Sequence, residues 1–411
     1  MSSPLISSSS SSPSPSPSPS PSPSPLPFPL PQRLAATAVD TRSFFKLHWA
    51  CFKVLGVVAP TADVFYLVYS VLLHLLVNLC YPLHLALMLF RSPNSSANIQ
   101  NLAVCVTCMA CSVKFVIYTM KMWRIRELES IVAALDARAC SPRERGYFLK
   151  LRKDMRRITI GFLSIYAFVG VTAELMFIFR NEHNLLYPAW FPFDWRASKL
   201  KFYAAHFYQI VGISYLLLQN FVNDCFPTMA LALLSAHIKL LGIRVSQIGH
   251  EAKSLDANEL ELLRCIKDQE QLYNMLNTIQ NIISLPMFLQ FTVTAINICL
   301  AMAALFFFVD APFDRLYYLA YFLSMPLEIF PTCYYGTDFQ LLFETLHIEM
   351  YASNWVEQTQ KFRKHMILFN ERSLKKEVAM AGGMIRIHLD TFVSTCKGAY
   401  SLLAVIMKMN E

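Results

Sequence analysis

Residues 282–308 read IISLPMFLQFTVTAINICLAMAALFFF, a run of 27 residues without one charged side chain. A helix that crosses the hydrocarbon core of a bilayer needs about 20 such residues, at about 1.5 Å of rise each. Inside the bilayer no water is present to bind backbone amides and carbonyls, so the chain must pair them internally, as a helix does. The run therefore predicts a membrane-spanning helix.

Six further apolar segments have the same character, although the last falls just short of the usual length. The seven predicted spans are 64–90, 99–120, 158–179, 203–234, 282–308, 316–335 and 389–407. None shows the alternating pattern of an outer-membrane β-strand. Hydrophobic residues make up 55% of the chain and charged residues only 16%, where about one quarter is usual for soluble domains. The sequence therefore predicts an all-α protein with a seven-transmembrane helical bundle.

Lysine and arginine are distributed unevenly over the connections between these spans. One side of the membrane carries 27 of them and the other side carries seven. Because basic residues are enriched in cytosolic loops, the N-terminus is predicted to be cytosolic and the C-terminus extracellular. A G-protein-coupled receptor has the opposite orientation, and its Asp-Arg-Tyr and Asn-Pro-x-x-Tyr motifs are missing. This sidedness accounts for the net charge of +8, so no nucleic-acid partner is expected.

Residues 1–39 differ in composition from the rest of the chain. They are rich in serine and proline, which alternate over 12–25. Such a segment has too few apolar side chains to form a core, so we predict a disordered tail. The remaining residues, 40–411, are predicted to form the seven-helix domain.

The 11 cysteines lie mostly in apolar segments or predicted cytosolic loops and do not resemble a disulfide framework. Cys105, Cys108 and Cys111 recur every three residues but lack histidine or acidic partners, so neither a metal nor another cofactor is expected. No nucleotide loop, inverted repeat or acid–base constellation at one membrane depth is present, so neither an enzyme nor a transporter is predicted.

The seventh span is unusually polar. Arg386, His388, Asp390 and Lys397 lie in it or just before it, and such groups are costly against lipid. The helix should therefore face protein or water. Asp390 and Lys397 are seven residues apart and share a face. They are consistent with a salt bridge inside one subunit, and equally with a helix at a subunit interface around a pore.

The loop before that span, 337–387, has an apolar helical face and needs a partner surface. The face consists of Phe339, Leu342, Phe343, Leu346 and Met350.

The C-terminal region also resembles a known family. Tyr351-Ala352-Ser353-Asn354-Trp355, Ala381-Gly382-Gly383-Met384, residues 392–397 and Ala399-Tyr400-Ser401 are similar to the C-terminal signature of insect odorant receptors. Residues 187–195, YPAWFPFDW, resemble the second extracellular loop of that family, and the inverted orientation matches as well. The resemblance covers roughly residue 40 to the end.

Two differences, one from the gustatory receptors and one from the odorant receptor co-receptor, narrow the resemblance to one type of subunit. The related gustatory receptors carry Thr-Tyr, five apolar residues and Gln-Phe in the last span, whereas here Ala399-Tyr400 is followed at those places by Ile406-Met407. The odorant receptor co-receptor has a much longer loop after the fourth span. The chain therefore resembles a ligand-tuned subunit. A gustatory-type receptor channel is the alternative, and a G-protein-coupled receptor is favoured less.

Members of the odorant receptor family, which this chain resembles, form tetrameric ligand-gated cation channels. They usually do so with the co-receptor, in the plasma membrane of olfactory neurons. The resemblance implies an odorant-binding subunit of such a heteromeric non-selective channel. It places Tyr400, Leu403 and Ile406 along the pore, with a hydrophobic constriction near Leu403. It also places Trp355 and the cytosolic anchor region 337–387 in the assembly interface. Ordinary packing is the alternative for each of these residues.

The same resemblance places a pocket for a small apolar volatile in the outer half of the bundle. The directions of the third, fourth and sixth spans give the candidates for its lining: Phe168, Thr172, Met176, Phe179, His206, Phe207, Ile210, Tyr215, Tyr318, Tyr321 and Met325. Residues of this kind more often belong to the core, which is the alternative for each of them. Glu174 is an intramembrane charge that could be functional or could form a structural pair with His206. Asn94-Ser95-Ser96 is a candidate glycosylation site in the first outer loop.

Overall fold

The computed structural model describes residues 40–58, 64–91, 95–138, 141–179, 185–309 and 311–409. The predicted tail, 1–39, and the candidate glycosylation site Asn94 lie outside these residues. In chain order the helices are α1 (Lys46–Val54), α2 (Val64–Arg91), α3 (Ser95–Met120), α4 (Met122–Asp136), α5 (Pro142–Phe179), α6 (Lys199–Ser246), α7 (Leu255–Phe308), α8 (Pro312–Tyr351), α9 (Gln360–Ser373) and α10 (Leu389–Met409). A 3₁₀ turn, Thr41–Phe45, precedes α1. A two-stranded antiparallel hairpin, β1 (Met380–Ala381) and β2 (Ile385–Arg386), precedes α10.

All seven predicted spans lie in helices, which confirms the predicted all-α bundle. By length and apolarity alone, five of the described helices contain a segment that could cross a membrane, namely α2, α3, α5, α6 and α7. The helices α8 and α10 complete the seven. Prolines inside α6, α7 and α8 leave these helices continuous, as expected where neighbouring helices satisfy the freed carbonyls.

Several helices are much longer than a membrane requires. The helix α6 has 48 residues, or about 72 Å at 1.5 Å per residue, against about 30 Å of hydrocarbon. Compared with the predicted spans, α5 and α7 begin earlier, and α6 and α8 end later. Because neighbouring spans are antiparallel, all four extensions lie at the same end of the bundle. We call this the inner end, and the opposite end, with residues 185–198, the outer end.

The helix α6 forms the centre of the bundle. Its residues 219–238 are buried on every side, whereas α2 exposes most of its apolar side chains. The apolar face predicted within 337–387 proves to be the inner extension of α8. Phe339 and Phe343 there are fully buried, and the Phe343 ring stacks on Tyr273 of α7 at 4.8 Å. The extensions therefore form a second packed core beyond the membrane region.

Candidate ligand site

Four tyrosines meet near the outer end. Tyr317, Tyr318 and Tyr321 lie on α8, and Tyr187 belongs to the segment between α5 and α6. The ring centroids of Tyr317 and Tyr321 are 6.1 Å apart, and the hydroxyls of Tyr187 and Tyr317 are 3.4 Å apart. All four side chains are buried. We call this group the tyrosine cluster.

Hydrogen bonds between neutral groups fix the tyrosine cluster to three other helices. The Tyr321 hydroxyl lies 2.6 Å from Thr107 Oγ1 on α3, and Asn297 Nδ2 on α7 donates to the same oxygen at 2.7 Å. Gln209 on α6 donates to the Tyr187 carbonyl at 2.8 Å. An aromatic lining with a few fixed polar groups is typical of a site for a small apolar ligand.

Tyr81 on α2 approaches the same region from another helix. Its side chain is 2% exposed, and its ring lies 5.9 Å from that of Tyr208 on α6. Gly212 allows this approach, because a Cβ added there would overlap the Tyr81 ring. Tyr81 directly follows a π-helical segment, His74–Cys80, a local widening that often occurs at functional sites.

The predicted ligand residues differ in exposure. Thr172, Met176, His206, Tyr215, Tyr318, Tyr321 and Met325 are buried, Ile210 is half-buried, and Phe168, Phe179 and Phe207 are more than half exposed. The structure brings Tyr318 and Tyr321 into the tyrosine cluster. The three phenylalanines lie on the surface of the chain and do not join it. The lining residues therefore remain predictions, and of these Tyr318 and Tyr321 of α8 lie in the tyrosine cluster.

Three of the buried candidates contact residues outside the tyrosine cluster, namely Thr172, His206 and Tyr215. The Tyr215 hydroxyl donates to the Leu55 carbonyl at 2.8 Å and so fastens α6 to the end of α1. The Thr172 hydroxyl donates to backbone carbonyls of its own helix. The His206 ring stacks on Phe177 with centroids 3.7 Å apart, and its Nε2 lies 3.9 Å from the Glu174 carboxylate. The expected Glu174–His206 pair is thus present as a loose contact.

The sequence did not point to Tyr81, Tyr187, Gln209 or Tyr317. Tyr187 stands in a segment predicted to be a loop, and the predicted lining came from the third, fourth and sixth spans, which do not include Tyr81. A signal did exist for Tyr317, since it lies four residues before Tyr321 and therefore shares its helix face. Choosing that face over its neighbour requires the packing of the whole bundle.

A buried charged network lies farther in, where five helices meet. Lys114 of α3 lies 2.7 Å from Asp224 of α6 and also donates to Gln290 of α7. Tyr166 of α5 donates to Asp224 at 2.7 Å, and Gln290 donates to Glu328 of α8 at 3.2 Å. All five side chains are buried. This mid-bundle network fixes the five helices relative to one another.

A second ionic network joins helices at the inner end. Asp268 of α7 accepts from Arg138 at 3.0 Å and from Arg244 of α6 at 3.2 Å. Arg138 also donates to Glu261 at 2.8 Å, and Arg244 donates to Glu144 at 2.5 Å. Burial alone would lower the pKa of Arg138, but Asp268 and Glu261 outweigh it and hold that pKa above its usual value. We call these five side chains the inner-end network.

The start of α10 is docked on α8. The Leu389 N–H donates to Thr337 Oγ1 at 3.0 Å. At Gly336 the Ile387 carbonyl comes so near that an added Cβ would overlap its oxygen. The segment that leads into the last helix is therefore held directly against α8.

The helix α10 contains the three predicted pore residues. Tyr400 is 67% exposed, whereas only the backbone is described for Leu403 and Ile406. Asp390 lies 3.2 Å from His388, and Lys397 is exposed. An exposed polar face is costly against lipid, so this arrangement favours a helix that meets other subunits or water over one closed by a salt bridge inside the chain.

Trp355 lies in the turn between α8 and α9. It is half-buried, and its ring meets that of Tyr351 edge-on at 6.3 Å. The neighbouring Asn354 N–H donates to the Ile248 carbonyl at 3.0 Å, which ties this turn to the end of α6. Tyr351 and Val356 are exposed beside it, so the turn presents apolar surface at the inner end.

Comparison with known proteins gives a consistent set of relatives. Residues 94–400 match the family model described as 7tm Odorant receptor. Odorant receptor 59a of Drosophila melanogaster is 44% identical over 92% of this chain and all of the relative. Odorant receptor 23a of the same species is 35% identical over 82% of this chain and 89% of the relative. The olfactory receptor OR5 of Machilis hrabei has the same fold, with a TM-score of 0.79 and 15% identity over 90% of this chain and 98% of that one. Its complex with eugenol gives a TM-score of 0.77.

Proposed function

The chain belongs to the insect odorant receptor family of multi-pass membrane receptors, and from this premise we propose that it is the odorant-binding subunit of a heteromeric, ligand-gated, non-selective cation channel. Membership makes it a receptor and not an enzyme. We further propose the co-receptor as its partner in a heterotetramer, and the plasma membrane of olfactory sensory neurons as its location.

The proposed orientation has a cytosolic N-terminus and an extracellular C-terminus. The loop charges support it, and so do the helical extensions, which all lie on the basic side. In this orientation the tyrosine cluster lies in the outer half of the membrane, where a volatile can arrive from outside or from the bilayer. The inner-end network and Trp355 then lie in the cytosol, as suits a region that anchors subunits to one another.

The observation that carries the proposal is the continuity of α8. Its outer part holds Tyr317 and Tyr321, and its inner part docks α10 through Gly336 and Thr337. Movement of the tyrosine cluster on ligand binding would therefore shift the proposed pore helix. A related receptor has been solved with eugenol, which supports a small volatile as the ligand of this chain.

Recording from cells that co-express the chain with the co-receptor tests the proposal. Volatiles should evoke cation currents that are absent with the co-receptor alone. Silence over a broad panel, with both proteins shown at the cell surface, would contradict it. Odour-evoked currents from the chain without the co-receptor would instead favour a gustatory-type assembly. An N-terminal epitope tag should stain only permeabilised cells, and staining of intact cells would reverse the orientation.

A further inference from the structure

We propose that the hydroxyl of Tyr81 is the hydrogen-bond donor that recognises the odorant, so that this receptor selects volatiles with an oxygen acceptor over hydrocarbons of the same shape. The inference rests on the proposed function and specifies its ligand class. Ketones, esters, ethers and alcohols carry such an acceptor.

The first support is where the hydroxyl lies. Tyr81 reaches inward from α2, and its ring is held between Tyr208 and the bare backbone of Gly212 on α6. Cys108 of α3, Glu174 of α5 and Tyr317 of α8 are all near enough to act on Tyr81 electrostatically. Tyr81 therefore lies between α2 and α6, close to the tyrosine cluster.

The second support is the hydrogen-bonding state of the hydroxyl. Tyr81 is 2% exposed, and its hydroxyl has no hydrogen-bond partner among the described residues. Neighbouring tyrosines are satisfied, since Tyr321 pairs with Thr107 and Tyr208 donates to the Leu76 carbonyl. Buried polar groups in folded proteins nearly always have partners, and a buried hydroxyl without one is unfavourable. A ligand oxygen beside Tyr81 would supply that partner.

The third support concerns which atom of the ligand is bound. A phenol hydroxyl can donate one hydrogen bond, whereas a carbonyl or ether oxygen can accept hydrogen bonds but cannot donate them. Two nearby amide donors are already used, since Gln209 Nε2 donates to the Tyr187 carbonyl and Asn297 Nδ2 donates to Thr107 Oγ1. Tyr81 thus supplies a single directional contact in an otherwise aromatic space, which suits a volatile with one oxygen function.

The test compares ligand pairs on matched receptors. Cells expressing the full chain with the co-receptor receive volatile methyl ketones, and also the alkenes in which a methylene group replaces the ketone oxygen. Wild type should respond to ketones at concentrations at least tenfold lower than to the matched alkenes. Tyr81→Phe should raise the half-maximal ketone concentration about tenfold, as expected for one lost hydrogen bond, and leave the alkene response unchanged. The control is Tyr118→Phe, which removes a hydroxyl donating to the Asn223 carbonyl at the far end of α3.

Equal responses to ketones and alkenes in wild type would overturn the inference, as would a Tyr81→Phe receptor with unchanged ketone sensitivity. Both results leave the proposed function standing, because each still shows an odour-gated current. A wild-type chain that reaches the surface with the co-receptor and answers no volatile overturns the proposed function, and this inference with it.

Discussion

The outer and inner ends of the bundle are held together by different chemistry. At the outer end, neutral hydrogen bonds join the tyrosine cluster to Thr107 and Gln209, and the Tyr81 hydroxyl has no partner within the part of the chain that the structure describes. At the inner end, Asp268 is shared by two arginines that are themselves bound to further carboxylates. The mid-bundle network, with Lys114 at its centre, separates the two regions.

This difference indicates a division of labour along the helices. Charged hydrogen bonds are stronger than neutral ones and tolerate little movement, so the inner end is built to keep one arrangement. An aromatic region with few directional contacts can repack around a ligand at a smaller cost. Stability should therefore depend mainly on the inner and middle regions, and odorant sensitivity mainly on the outer one.

The largest effect is expected from Lys114→Met. The change leaves Asp224 buried without its cation, and breaking a buried pair costs roughly 3–5 kcal/mol. Surface expression and the melting temperature of the detergent-purified chain should both fall sharply. Adding Asp224→Asn should restore part of the loss, because it removes the stranded charge. The control is Lys150→Met at an exposed position of α5, and equal behaviour of the two lysine variants would contradict the prediction.

Asp268→Asn should have the next largest effect and would sharpen the comparison. It weakens the contacts to Arg138 and Arg244 together, so a loss of about 2–3 kcal/mol is expected. The melting temperature should drop while the half-maximal odorant concentration stays constant. Glu270→Gln, an exposed change on the same helix, should alter neither. A large shift in odorant sensitivity with normal stability would break the proposed division.

Tyr321→Phe should give the opposite pattern. It removes a neutral bond to Thr107 and a longer one to the Ala103 carbonyl, so unfolding should become easier by only about 1 kcal/mol. The half-maximal odorant concentration should nevertheless change several-fold, because the aromatic ring at position 321 is no longer held by a hydrogen bond and can repack. Tyr334→Phe, on the exposed side of α8, is the matched control. Unchanged dose–response curves would remove Tyr321 from the candidate ligand site.

These contrasts show what the sequence could and could not predict. Long apolar runs specified the spans, because membrane thickness alone demands such runs. The direction of each helix predicted how deep in the membrane Phe168 and Phe207 lie, but not whether their side chains face the bundle interior. Both side chains lie on the surface of the chain. Lys114 was visible as a charge within a span, yet its partners come from helices more than one hundred residues away. Such pairings follow from how helices pack, which no local pattern records.

The smallest effect concerns Asp136 at the inner end, which accepts from the Thr41 N–H at 2.7 Å and from its hydroxyl. Burial raises the pKa of Asp136 to about 6, and the bonds from Thr41 oppose this only in part. Asp40 and Arg42 flank the contact, and His237 Nε2 lies 3.6 Å away.

Because the pKa of Asp136 is higher in the folded chain than in the unfolded one, folding is favoured by the bound proton. The contribution of Asp136 to stability is therefore largest in acid, falls as the pH rises towards about 6, and is constant above that value. Other groups titrate in the same range, so the quantity to measure is the difference in melting temperature between wild type and Asp136→Asn. From about pH 5 to about pH 7 wild type should lose stability relative to the variant, because asparagine cannot ionise. A difference that is independent of pH would show that Asp136 stays ionised beside Thr41 throughout.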